Sequence, residues 1–144
     1  MKGSSNAQAP RNTAQGNGTV NSSTCTVHDN HPPYWIRKGD IVTARVDIVM
    51  LDNSATQGTY KGGIPVATGF PKNIIPASFN GKDVWPIDMG LVSVDGVDGT
   101  AGWCWMSAAG NMQIAVRNLP INGKTLMASV TYMTDDPISG GGGS

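Results

Sequence analysis

Charge is scarce in this chain. Ten Lys and Arg side chains balance ten Asp and Glu, and charged residues make up 14% of the 144, against about 25% in an ordinary globular domain. A surface without excess of either sign has no long-range field to draw in nucleic acid or an anionic membrane. Long apolar runs are missing as well. None approaches the ~20 residues that cross a bilayer as a helix, and Met1 to Val20 contains no apolar signal-peptide core. Neither nucleic acid nor membrane insertion is therefore expected. Only two cysteines occur, Cys25 and Cys104, compatible with one disulfide or with two thiols. Their apolar neighbours favour buried thiols, and neither has the basic flank that makes a reactive thiolate. There is no Cys-x-x-Cys, no Gly-x-Ser-x-Gly and no glycine loop cradling a phosphate ahead of a helix, so no cofactor is expected.

Short bursts of alternating apolar and polar residues take the place of these features. Side chains at i and i+2 of a strand share a face. Val42, Ala44, Val46, Ile48 and Met50 thus line one face of a strand, with Thr43, Arg45 and Asp47 opposite. Leu126, Ala128, Val130 and Tyr132 repeat the pattern. Lys38-Gly39-Asp40 and Ala108-Ala109-Gly110 are turn signals for hairpins, and Asp29 to Pro33 breaks the ladder because two prolines cannot join it. No stretch has sustained helical periodicity. The pattern predicts an all-β fold, an antiparallel β-sandwich or barrel of about eight or nine short strands. Residues 1–18 carry few large apolar side chains and read as a flexible leader. Residues 19–136 form the β domain, and 137–144 end in Gly140-Gly141-Gly142-Gly143-Ser144, which reads as an engineered linker.

Aromatic residues are few but suggestively placed. Trp103 and Trp105 share one strand face and Cys104 and Met106 the other. Two adjacent indoles either fill a core or make a platform for a stackable ring, such as the apolar face of a sugar. Trp85, beside Pro86 in a loop, suits an exposed or interface role. His28-Asp29-Asn30-His31 has the residue types of a metal site, but zinc needs three or four ligands. No metal is expected there, and His31 is assigned to saccharide contact. Asp95-Gly96-Val97-Asp98-Gly99 lacks the spacing of a calcium loop, and two Asp-Gly turns explain it. The residues selected for saccharide binding are Trp103, Trp105, Trp85 and His31, with Asp88 and Asp95 as polar partners for ring hydroxyls. No catalytic residue is assigned. Carboxylate pairs such as Asp83 with Asp88 arise by chance among ten acidic residues.

Four segments in order carry a resemblance: Tyr34 to Thr43, Pro65 to Pro71 (PVATGFP), Ser107 to Ile114 (SAAGNMQI) and Met127 to Thr134 (MASVTYMT). Together they resemble the head domain of tail receptor-binding proteins from phages of Gram-positive bacteria, the lactococcal siphophage baseplate type among them. The similarity covers roughly residues 19–136. It implies a homotrimeric β head at the virion tail tip, made in the host cytoplasm, that meets other baseplate proteins. Such a head binds a host cell-wall or surface saccharide without cleaving it. No shoulder or neck segment of the family's longer members is legible, so the chain reads as an isolated head. Two alternatives stand beside this one. One is a structural virion component, in baseplate assembly or capsid decoration, with no ligand. The other is a tail depolymerase, which would need two carboxyls across a cleft.

Overall fold

The computed structural model describes residues 12–51, 61–74, 78–79, 82–83, 88–116 and 121–138. Among them are twelve strands and no helix: β1 (Thr13–Asn17), β2 (Thr19–Val20), β3 (Cys25–Val27), β4 (Tyr34–Lys38), β5 (Ile41–Met50), β6 (Lys61–Thr68), β7 (Ser78–Phe79), β8 (Lys82–Asp83), β9 (Met89–Val94), β10 (Gly102–Met106), β11 (Met112–Val116) and β12 (Thr125–Met133). The main sheet is antiparallel and runs β1-β4-β5-β12-β9-β10-β11-β6-β2, with β3 also paired to β5; β7 and β8 pair apart from it. The end strands of that order, β1 and β2, are neighbours in the chain with Gly18 alone between them. The sheet must therefore curl until its edges approach, giving a nearly closed, barrel-like all-β body. At this seam a Cβ on Gly18 would lie 2.8 Å from the Thr68 carbonyl oxygen, closer than a side chain tolerates.

Alternation decides which face turns inward. From β5, Val42, Ala44, Val46, Ile48 and Met50 are buried, and from β12, Leu126, Ala128, Val130 and Tyr132. They share one core cluster with Val92, Val94, Cys104, Met106, Met112, Ile114, Ile64 and Val66. The β5–β12 ladder joins them over nine consecutive pairs, from Thr125↔Val49 to Met133↔Ile41. Lys38 pairs with Ile41, so Gly39-Asp40 is a two-residue turn, with Gly39 at φ 59°. Tyr132 keeps its hydroxyl satisfied inside by donating to the Pro71 carbonyl at 2.7 Å.

Two sequence expectations change. Thr13–Asn17, assigned to a flexible leader over 1–18, is β1, paired with β4 along its whole length. An edge strand needs only backbone partners, so its poverty in apolar side chains left no signal. The stretch from Val20 to Val27, whose Ser/Thr-rich alternation reads in the sequence as one β segment, is split into β2 and β3. Asn21 causes the break: its side-chain oxygen accepts from the Ser23 N–H at 3.1 Å, and its carbonyl accepts from Thr24 and Cys25. This local turn replaces ladder bonds.

Both cysteines are buried free thiols. Burial pushes the Cys104 thiol up to about 12 and raises that of Cys25 as well. Both are expected to react with an aromatic disulfide reagent at pH 8 only after denaturant is added. Gly90 supplies a second check. A Cβ there would overlap the Ser129 carbonyl oxygen and stand 2.9 Å from the Cys104 sulfur. Gly90→Ala is expected to cost about 1–3 kcal/mol, read as a lower urea midpoint.

Candidate functional site

A cluster of polar side chains is built where β5 changes partner. Along one edge of β5, residues Ile41 to Arg45 pair with β4, whereas Ile48 to Met50 pair with β3. Residues 28–33 connect β3 to β4 and leave the ladder between those two stretches. The excursion starts as a tight turn: the His31 N–H donates to the His28 carbonyl at 3.0 Å. Its central residues, Asp29 and Asn30, have φ of 54° and 60°. Asp and Asn are the non-glycine residues that accept this left-handed conformation most readily. The turn brings two imidazoles to the same side, and Pro32-Pro33 leads the chain back to β4.

Asp47 lies beneath that turn. It belongs to the outward-facing set of β5, yet it is only 8% exposed because the two histidines fold over it. His28 Nδ1 stands 3.1 Å from Oδ1 and His31 Nδ1 3.0 Å from Oδ2. An ionised carboxylate only accepts hydrogen bonds, so each Nδ1 must carry its proton. Burial raises the carboxyl of Asp47, but the bonds from His31 and His28, with their charge, outweigh it and hold the group below its ordinary range. Without these partners a carboxylate removed from water would cost several kcal/mol.

Two clefts open on either side of Asp47. The first, of about 300 Å³, is lined by Asn17, His31, Pro32, Tyr34, Arg45 and Asp47. The second, of about 470 Å³, is lined by His28, Asp47, Ser93 to Val97, Thr125 and Met127. Tyr34 and Arg45 are cross-strand neighbours, both exposed. The guanidinium of Arg45 touches the Met127 sulfur at 3.7 Å and makes no ion pair among the described residues. The first cleft therefore offers an aromatic ring, a cation without an ion-pair partner among the described residues, and hydrogen-bonding groups of both senses. Because His28 and His31 hold different oxygens of Asp47 and open onto different clefts, they do not converge. Among the described residues, no group of three His, Cys, Asp or Glu could hold a metal ion.

The residues selected from the sequence fall in several places. His31 lines the first cleft and Asp95 the second. Trp103 and Trp105 do share the outward face, opposite Cys104 and Met106 in the core cluster. They differ in exposure, however. Trp103 is half-buried and Trp105 only 6% exposed, so the pair does not present two open rings on the isolated chain. Asp88 is half-buried ahead of β9, and one of its oxygens is enclosed without a hydrogen-bond partner among the described residues. Trp85 lies outside the described residues. Asp95-Gly96 and Asp98-Gly99 form successive turns, with Gly96 and Gly99 at positive φ. Asn17, Arg45 and Asp47 were not anticipated. Asp-Asn flanked by two histidines was the available signal for the turn, but Asp47 is nineteen residues from His28, and alternation placed it on an open face.

Replacing the central carboxylate tests this construction. The depressed Asp47 group contributes stability that is present above its unfolded value near ~3.9. That contribution is lost as pH falls through the lower folded value. Asp47→Asn is expected to cost about 1 kcal/mol at neutral pH, a modest figure because both imidazoles are partly exposed. Urea titrations of the two proteins should converge as pH drops below ~4; a gap that is constant with pH would contradict the bonding pattern. Compared with family models, curated proteins and solved structures, the chain matches none.

Proposed function

We propose that this chain is a phage tail receptor-binding head that holds a host cell-surface carbohydrate without cleaving it. The observation that carries the reading is the first cleft, where exposed Tyr34 and Arg45 stand beside the Asp47–His31 pair. A tyrosine ring stacks on the apolar face of a pyranose. Arg, Asn and His side chains match its hydroxyls as donors and acceptors. With each Nδ1 committed to Asp47, Nε2 is the ring nitrogen left to meet a sugar hydroxyl. Both oxygens of the carboxylate accept from imidazoles, an arrangement suited to orienting groups rather than to moving protons. Asp95 extends the polar lining on the other side of Asp47, and Trp103 adds a further ring on the same sheet face.

The proposed setting is a homotrimer at the virion tail tip, beside other baseplate proteins. Exposed Ile36, Ile41 and Met133 on β4, β5 and β12 support it: they extend the outward face from the first cleft toward the Gly39-Asp40 turn and suit contact with protein. Several copies of a weak sugar site gain avidity through effective concentration. One observation favours depolymerase activity as a second reading, since Asp47 and Asp95 line the same cleft, as a glycosidase's two carboxyls would.

Cell-wall polysaccharide from Gram-positive bacteria, immobilised and probed with the purified domain, separates these readings. Retention is expected, and Tyr34→Ala and Arg45→Ala should each weaken it by about tenfold, the equivalent of ~1.4 kcal/mol. Circular dichroism of both variants should be unchanged, because both side chains are exposed. Shortening of the polymer during incubation would favour the depolymerase. Full retention by both folded variants would remove the cleft from the proposal.

A further inference from the structure

We infer that the carbohydrate site is a groove laid across the strands, which takes a linear oligosaccharide lengthwise and reads several rings at once. The inference rests on the proposed carbohydrate reading and deepens it. A third cleft, of about 290 Å³, lies on the same outward face between Arg45 on β5 and Leu91 on β9. The three clefts are not separate hollows. Arg45 lines the first and the third, Asp47 the first and the second, and Ser93 and Met127 the second and the third. Each is therefore joined to the others by shared side chains, with Arg45, Asp47 and Met127 at the junction.

Strand register gives this surface a direction. Tyr34 pairs with Arg45, Arg45 with Ser129, Ser129 with Leu91 and Leu91 with Trp103. All five belong to the outward-facing set, so they form one row over β4, β5, β12, β9 and β10. Four strand spacings of ~4.8 Å make the row roughly 19 Å long, the span of a short oligosaccharide rather than of one ring. An aromatic residue stands at each end, Tyr34 and half-buried Trp103. Between them lie a cation, a serine hydroxyl and Leu91, which is 67% exposed. This mixture of polar and apolar contacts suits a chain whose rings expose both hydroxyl edges and C–H faces. A single monosaccharide would fill one cleft and leave the rest of the row in water.

The test uses the polysaccharide retained in the immobilisation assay, cut by mild acid and separated by size. Fragments of one to six sugar units then compete for the intact domain. Inhibition is expected to strengthen by about tenfold or more from one unit to four, and to level off beyond. Ser129→Trp, which places a bulky side chain at the middle of the row, should erase most of that length dependence. Trp103→Ala, which removes the ring at the far end, should reduce it as well. If the polysaccharide is retained but one unit competes as well as four, the groove is wrong and the carbohydrate reading survives. If Ser129→Trp folds and still favours long fragments, the row is not the path of the chain. If no polysaccharide is retained at all, both proposals fall together.

Discussion

The nine-pair ladder between β5 and β12 is the constraint on which the rest of this structure depends. Its register aligns two alternating strands so that one set of side chains enters the core and the other is left outside. A slip of one residue would exchange the two sets, placing Arg45 and Asp47 in the interior and Val46 and Ile48 in water. Burial of the apolar set opposes that slip, at roughly 25 cal/mol for each Å² of apolar surface. The same alignment arranges the outward row from Tyr34 to Trp103. Scaffold and candidate site are two faces of one register.

Asp47 shows how the outward face acquires chemistry. A carboxylate on an exposed strand face would ordinarily be solvated and have little consequence. Here β5 exchanges β3 for β4 as its neighbour, and the six residues spanning the exchange cannot stay in the ladder. Their turn covers Asp47, and two imidazoles replace the water it loses. The site therefore exists because a strand changes partners. Its polarity is tolerated because each carboxylate oxygen of Asp47 receives a hydrogen bond from the turn above it.

The barrel's near-closure has a comparable local origin. Its two end strands differ in sequence position by a single residue, Gly18, which sits against the Thr68 carbonyl and the Phe70 ring. No side chain fits there, so the seam depends on glycine for space rather than for a left-handed backbone angle. Gly90 serves similarly inside, where β9 passes between Ser129 and Cys104. Both are places where backbone approaches backbone and where a methyl group would have to displace a strand.

Much of the fold was legible in the order of residues. Period-two alternation over Val42 to Met50 and over Leu126 to Tyr132 determined the strands and their buried faces, because burial of one face is a property of each strand by itself. The hairpin at Gly39-Asp40 was legible for a similar local reason. The edge strand β1 was not, since its partners are backbone groups that any residue supplies. The candidate site was legible only in fragments. His31 and Asp95 could be named from residue type, but nothing local linked them to Asp47 or Arg45, or set Tyr34 and Trp103 in one row. Those relations join strands far apart in the chain, and pairing alone creates them. Local periodicity determined which residues face in or out; strand order and register decided which outward residues meet.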